Sequence, residues 1–156
     1  WLRRAPAWDS SMTDLQQMLM QQEGTGPRDA QGRFLPYLDS VGKWTYGYGH
    51  LAEKGIPADI AMMLFNADIA DAIDDVRHNC SCYDQLSRPR QLVMVSLAFN
   101  LGRSGLAKFV RFLGALHLGH YDEAADELLN SKAAQQAPVR FRQLARMMRE
   151  NVSEWV

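Results

Sequence analysis

Apolar residues recur at helical spacing without interruption between residues 60 and 76. They are Ile60, Met63, Leu64, Ala67, Ala70, Ile73 and Val76. Steps of three and four residues place side chains on one face of a helix, so this pattern predicts a helix from residue 57 to about residue 78. A helix of this length is typical of an element that bridges two lobes of a small protein.

A shorter helix is predicted near the start of the chain. Ser11 fits an N-cap and Asp14 the third helical position, and apolar residues including Leu15 and Leu19 follow at helical spacing. Gly24 then supplies a residue suited to end a helix. These signals predict a helix over residues 12–23.

The segment that follows this helix changes from turn formers to strand formers. Residues 24–33 contain "GTGPRDAQG" and predict a loop. From Phe34 to Leu51, aromatic and β-branched residues surround a turn at residues 39–43. This alternation predicts a small antiparallel sheet.

After the long helix the sequence predicts only helices. Residues 92–99 are apolar on nearly every side, which predicts a helix through the core of a second lobe. Glycines are expected to separate short helices after it, and Pro138 to begin the last one, with its apolar residues facing inward. The glycines are Gly102, Gly105, Gly114 and Gly119, and the inward residues are Phe141, Leu144 and Met148. The fold class is therefore α+β and mostly helical.

Length and composition predict one domain with a packed interior. The chain has 156 residues, of which 47% are hydrophobic, and its net charge is −1. Residues 1–11 are expected to be a linker or a trimmed terminus. The expected domain covers residues 12–156, divided into a small lobe at 12–56, a bridging helix at 57–79 and a helical lobe at 80–156.

Several partner classes find no support in the sequence. No apolar run reaches the roughly 18 residues that a membrane span needs, and no signal peptide is visible. The arginines at 138–149 are explained by a solvated helix face, and no stacking motif accompanies them, so nucleic acid is not expected. A monomer is expected, either alone or as part of a larger polypeptide.

The two cysteines are also expected to be without a metal. Cys80 and Cys82 form an H-x-C-x-C pattern with His78, but a structural zinc needs four ligands and no partner cluster exists in the sequence. Their spacing is awkward for a mutual disulfide. A polar turn is the simpler interpretation.

Two carboxylates and a hydroxyl are candidates for chemistry. Glu23 follows Leu15 and Leu19 along the same helical line, so its carboxyl is expected to be buried, which favours the protonated form of a proton donor. Asp39 lies at the lip of the predicted hairpin and Thr45 on its returning strand. An acid at a helix end beside a second acid on a hairpin is a pattern that a glycosidase needs. The simpler alternatives are a solvent-facing Glu, a turn-stabilising Asp and a Thr chosen for strand propensity.

The same stretch contains glycines that a strand does not favour. Gly47 and Gly49 lie in "KWTYGYGHL" at residues 43–51. Glycine inside a strand usually marks a close approach by another group. We therefore expect this stretch to form the floor of a cleft.

These residues together resemble the phage-type lysozymes, glycoside hydrolase family 24. The resemblance rests on Glu23-Gly24, "YLD" ending at Asp39, "WTYGYGHL", "LFNADIADAI" (64–73), "AFNLG" (98–102), "YDEAADEL" (121–128) and Pro138 to Arg140. It spans roughly residues 12–155. It implies a small sheet-containing lobe and a larger helical lobe joined by a long helix, with a glycan cleft between them. The segment from Gly24 to Phe34 is several residues longer than the compact form in the family.

The resemblance also implies a role for each matched residue. Glu23 looks like the general acid, Asp39 like the carboxylate that handles the nucleophilic water, and Thr45 like the hydroxyl that orients this water. Leu51 and Phe99 match positions that line the glycan cleft, with Asn100 beside them. Arg140 resembles an arginine that faces the catalytic Glu. His50 and Asp68 resemble a structural ion pair that fastens the sheet to the long helix.

The implied activity is cleavage of the β-1,4 bond between N-acetylmuramic acid and N-acetylglucosamine in peptidoglycan, with no cofactor. Alternatives are a lytic transglycosylase acting on the same bond, a chitinase-like or chitosanase-like specificity, and a non-catalytic module that binds cell wall. The expected site of action is the bacterial wall in the periplasm, after synthesis in the cytoplasm and delivery by a holin, a phage tail or secretion machinery. The sequence leaves open whether the chain is a free endolysin, a tail lysozyme or a delivered toxin.

Overall fold

The structure, a computed structural model, describes residues 10–23 and 26–153, without the side chains of residues 10–14 and 23. The chain divides into two compact units, Trp1–Ala61 and Met62–Val156. The first contains a small antiparallel sheet, and the described residues of the second, 62–153, form helices as their only regular secondary structure. The predicted α+β, mostly helical fold class is confirmed. The predicted terminal linker at residues 1–11 lies almost wholly outside the described residues.

The sheet of the first unit has three short strands in the order β1-β2-β3. They are β1 (Tyr37–Leu38), β2 (Trp44–Tyr46) and β3 (His50–Leu51), and a 3₁₀ turn at Ala52–Lys54 follows. The register pairs Tyr37 with Thr45, and Thr45 with Leu51. Thr45 therefore lies between both neighbouring strands. Side chains alternate between the two faces along β2, so Thr45 is buried while Trp44 and Tyr46 on either side of it are exposed.

Helix α1 (Ser10–Glu23) differs from the prediction at its start and in its burial. Ser11 lies inside the helix and is therefore not its N-cap. Leu15 and Leu19 are 42% and 43% exposed, so the expected buried line toward Glu23 is wrong. Helical spacing shows which side chains share a face, but it does not show whether another element covers that face.

The described part of the expected loop, residues 26–33, is more ordered than its composition predicts. Arg28 pairs with Phe34 as an isolated antiparallel bridge, and the Arg28 guanidinium lies 3.7 Å above the Phe34 ring. Asp29 closes the turn between them by accepting the backbone N–H groups of Gln31 and Arg33. The Arg33 backbone N–H and then its side chain lower the pKa of Asp29. Since this pKa is depressed, the contribution of Asp29 to stability is present above its unfolded pKa and is lost as the pH falls.

The reason for glycine at positions 47 and 49, between β2 and β3, differs from the one expected. Gly47 and Gly49 lie in the turn between β2 and β3, with φ values of 59° and 89°. An added Cβ at Gly47 would meet no atom within 4 Å. The interpretation of Gly47 as a strand glycine that permits close approach is therefore wrong, because its positive φ already requires glycine.

Helix α2 (Ala58–Asn79) confirms the long helix that the apolar pattern predicted. Its last turns bury Ala72 and Val76 in the core of the second unit. Within the described residues, no helix is both long and apolar enough to cross a membrane.

The second unit contains five further helices around one core. They are α3 (Arg88–Ala107), α4 (Val110–His117), α5 (Tyr121–Leu129), α6 (Lys132–Gln136) and α7 (Pro138–Glu150). Helix α3 buries Val93, Met94, Leu97 and Ala98, which confirms the predicted core helix. Helix α7 begins at Pro138 and buries its apolar face as predicted.

Two of the four glycines expected to separate helices do so. Gly102 interrupts α3 with a φ of 67°, and Gly119 follows the end of α4 with a φ of 73°. Gly105 and Gly114 lie inside α3 and α4 instead. At Gly105 an added Cβ would lie 2.8 Å from the Leu101 Cβ, so close packing explains this glycine.

The core of the second unit gives a stability prediction. Leu144 is 2% exposed on α7, and Leu118 is 67% exposed after α4. We expect Leu144→Ala to lower the free energy of unfolding by about 2–5 kcal/mol through lost burial and a residual cavity. Leu118→Ala is the matched control and should change it by less than about 0.5 kcal/mol. Denaturant unfolding measures both, and equal losses would contradict the described packing.

Candidate active site

The carboxylate of Asp39 is held by the turn that it begins. Its Oδ1 atom accepts the backbone N–H groups of Val41 and Lys43 at 2.9 and 2.8 Å. The Gly42 N–H donates to the Asp39 carbonyl, which closes the predicted turn. No described residue forms a hydrogen bond with Oδ2. Asp39 therefore stabilises the turn with one oxygen and has the other available for chemistry.

Thr45 is linked to Asp39 through a single backbone oxygen. The Lys43 carbonyl accepts the Asp39 N–H at 2.9 Å and the Thr45 hydroxyl at 3.2 Å. Thr45 is only 2% exposed and is the one buried polar side chain among the described residues. Because its proton is donated to Lys43, the hydroxyl oxygen has lone pairs left to accept a hydrogen bond. Sequence reasoning could not identify the Lys43 carbonyl, because a backbone group has no sequence signal.

The segment after α1 is fastened to the second hairpin at Gly26. The Gly26 N–H donates to the Gly47 carbonyl at 3.1 Å. An added Cβ on Gly26 would lie 2.7 Å from the Tyr37 ring and 2.9 Å from the Gly47 oxygen, so this position requires glycine. In the sequence Gly26 is only one of several turn formers, and no signal there indicates this contact.

Helix α1 ends at Glu23, three residues before Gly26. A fully extended chain of three residues spans at most about 11 Å. The Glu23 backbone is therefore held within that distance of Gly26, which packs against Tyr37 on β1. The Glu23 side chain lies outside the described structure, so its role stays a prediction.

Lys43 adds a positive charge to the same turn. Its Nζ atom lies 2.6 Å from the Glu53 Oε1 atom. The hydrogen bond to Glu53 is the main cause of a raised pKa for Lys43, and the negative charge of Asp39 adds to this effect. The turn thus presents Asp39 near a cation that is already paired with another carboxylate.

Two other predicted residues lie on β3. Leu51 is half-buried and pairs with Thr45 in the sheet. The His50 Nε2 atom lies 2.7 Å from the Gly55 carbonyl oxygen, a contact within its own unit. The predicted His50–Asp68 ion pair joins residues of the two separately described units, and it stays a prediction.

Asn100 and Arg140 are brought together in the helical unit. The Arg140 guanidinium donates to the Asn100 Oδ1 atom at 2.5 Å, and the Asn100 Nδ2 atom donates to the Ser96 carbonyl at 2.7 Å. Both residues line a cavity of about 170 Å³ between α3 and α7. Each polar end of the Asn100 amide makes one hydrogen bond, and the bond at Oδ1 holds Arg140.

Phe99 and Asp68 line a second depression of the same unit, with a volume of about 260 Å³. Phe99 is exposed and packs edge-on against Phe65, with ring centroids 5.7 Å apart. Asp71 and Asp75 line the depression as well. An exposed aromatic ring beside acidic groups provides a surface for a polar ligand with an apolar face.

Another cavity of the helical unit, about 640 Å³ in volume, contains none of the predicted residues. Its lining includes Phe109, Phe112 and Glu127, with Lys108 and Arg111 among the cations. The volume of a cavity would therefore have indicated a different site from the one that contains the Asp39 carboxylate.

No group of three or more His, Cys, Asp or Glu side chains in the described residues is arranged to hold a metal ion.

Comparisons with known proteins identify the family of this chain. The family model described as phage lysozyme matches residues 29–149. The pre-baseplate central spike protein Gp5 of Enterobacteria phage T4 is 27% identical over 152 positions, which cover 79% of this chain but 25% of Gp5. The probable T4-type lysozyme 2 of Dictyostelium discoideum is 25% identical over 134 positions, which cover 67% of this chain and 79% of that protein. The chain thus spans only a quarter of the length of Gp5.

The two bonds to Asp39 Oδ1 give a prediction about folding. Asp39→Ala removes both acceptor contacts and should lower the free energy of unfolding by about 1–3 kcal/mol. Asp39→Asn keeps an oxygen in the same place and should lower it much less. Ser40→Ala is the control in the same turn. Thermal unfolding compares the three variants, and an equal loss for the Asn and Ala variants would contradict the described turn.

Proposed function

We propose that this chain, which belongs to the phage lysozyme family, is a muramidase that hydrolyses the β-1,4 bond between N-acetylmuramic acid and N-acetylglucosamine in peptidoglycan. Family membership supports the glycoside hydrolase class. The observation that carries the specific proposal is the Asp39 carboxylate, fixed through Oδ1 and unbonded by any described residue at Oδ2. The proposed substrate is the bacterial wall in the periplasm.

In this proposal Glu23 is the general acid. It would donate a proton to the glycosidic oxygen as the bond breaks, which spares the leaving sugar a negative charge. Glu23 is the last residue of α1.

Asp39 and Thr45 would handle the attacking water. The Asp39 Oδ2 atom would accept one proton of the water, and the Thr45 hydroxyl oxygen would accept a hydrogen bond from the other. This assignment uses only lone pairs that the described contacts leave available. A water held between a carboxylate and the sugar is the arrangement of an inverting glycosidase, in which the two carboxyls are about 6.5–9.5 Å apart.

The remaining residues would bind the glycan or adjust the acid. Leu51 and Phe99 would contact sugar rings through their apolar surfaces. Arg140 would act on the charge of Glu23, and Asn100 would hold the guanidinium in place through the bond at 2.5 Å. The Asn100 amide keeps a second N–H for the predicted glycan contact.

The catalytic assignment predicts a large loss of activity without unfolding. Glu23→Gln keeps the shape of the side chain but removes its acidic proton, and Asp39→Asn removes the proton acceptor. Each should lower the rate at which purified cell walls clear by at least about 100-fold. Glu123→Gln changes an exposed Glu on α5 and should leave the rate unchanged. Near-normal clearing by the folded Glu23→Gln protein would remove it as the acid.

The His50–Asp68 ion pair is a separate structural proposal with its own test. A double-mutant cycle with His50→Gln and Asp68→Asn should give a coupling free energy of about 0.5–3 kcal/mol, because interacting residues are not additive. Asp74→Asn, on the same helix, should combine additively with His50→Gln. Denaturant unfolding measures the four corners of each cycle, and zero coupling between His50 and Asp68 would exclude the pair.

A further inference from the structure

The turn between α2 and α3 brings two thiols together. Cys80 extends the last turn of α2, because its N–H donates to the Val76 carbonyl at 2.8 Å. Cys82 precedes a 3₁₀ turn at Tyr83–Gln85. The two Sγ atoms lie 3.0 Å apart, and both cysteines are free. The spacing in sequence is awkward for a bridge, but the turn places the sulfurs side by side.

The backbone fixes this proximity. The Tyr83 N–H donates to the Cys80 carbonyl at 3.1 Å, and the Gln85 N–H donates to the Cys82 carbonyl at 3.0 Å. A disulfide bond is about 2.0 Å long, so closure requires the sulfurs to approach by only about 1 Å. The entropy cost of bringing them together has thus largely been met by folding.

The two thiols differ in their surroundings. Cys80 is 6% exposed, whereas Cys82 is partly exposed at the surface. Burial, and then the contact with Cys82, raises the pKa of Cys80 to about 12. A buried, protonated thiol reacts poorly with an external reagent. Cys82 is therefore the sulfur that a dissolved oxidant meets first.

We propose that Cys80 and Cys82 form a dithiol modification site that closes to a disulfide by exchange with a small-molecule disulfide. The Cys82 thiolate attacks one sulfur of the oxidant and releases the first thiolate, leaving a mixed disulfide. The Cys80 thiol loses its proton to solvent, and its sulfur attacks Cys82 Sγ and releases the second thiolate. The protein loses two electrons and two protons, and one oxidant disulfide becomes two thiols.

The test uses the full chain and oxidised glutathione, followed by alkylation and mass spectrometry. Both cysteines fall in residues 78–90 after tryptic cleavage, since Pro89 protects the bond after Arg88. This peptide should lose two hydrogen atoms, carry no glutathione and resist alkylation until it is reduced. A final state that carries glutathione, a disulfide-linked dimer, or thiols that stay reduced would each overturn the proposal.

The single variants test the order of attack. Cys80→Ser should stop at a glutathione adduct on Cys82, because no second thiol can displace it. Cys82→Ser leaves only the buried thiol and should react at least about tenfold more slowly. Equal rates for the two variants would contradict the assignment of Cys82 as the first sulfur attacked. Neither cysteine belongs to the proposed catalytic set, so this result is independent of the muramidase proposal.

Discussion

One backbone oxygen, the carbonyl of Lys43, organises the candidate site. It accepts hydrogen bonds from the Asp39 N–H and from the Thr45 hydroxyl, which ties a turn carboxylate to a strand hydroxyl. The turn amides bind Oδ1 of the same carboxylate and so fix the direction of Oδ2. Preorganised polar groups of this kind do not have to be rearranged during a reaction. The proposed chemistry depends on this small network more than on any cavity.

A second constraint limits the distance between the end of α1 and the small sheet. The bond between Gly26 and the Gly47 carbonyl, together with the contact between Gly26 and Tyr37, limits how far the end of α1 can lie from β1. The ordered segment from Arg28 to Phe34 follows directly and is closed by Asp29. The longer connection between Glu23 and Asp39 is thus folded from residue 26 onward. It lengthens the sequence between the two acids while Gly26 keeps the helix end close to the sheet.

The sequence predicted the elements better than their surroundings. The long helix, the core helix, the turn at Asp39 and the start at Pro138 follow from local periodicity and turn chemistry, and the structure has all of them. The prediction that Leu15 and Leu19 are buried was wrong, because periodicity carries no information about which element covers a helix face. The role of the Lys43 carbonyl has no sequence signal, and the spacing of Cys80 and Cys82 wrongly suggested that their sulfurs lie apart, because both features depend on backbone geometry. The candidate acids came from a family pattern, and spacing alone left each with a structural alternative.

Asp39 and Thr45 are proposed to direct a water molecule onto the sugar, so the nucleophile must come from solvent, and isotope labelling of the product identifies its source. Purified peptidoglycan is digested in water enriched in ¹⁸O, and the released sugars are analysed by mass spectrometry. We expect hydrated muramic acid ends that carry ¹⁸O, because the nucleophile comes from solvent. Anhydro ends without the label would contradict it, since they form when a sugar hydroxyl replaces water as the nucleophile.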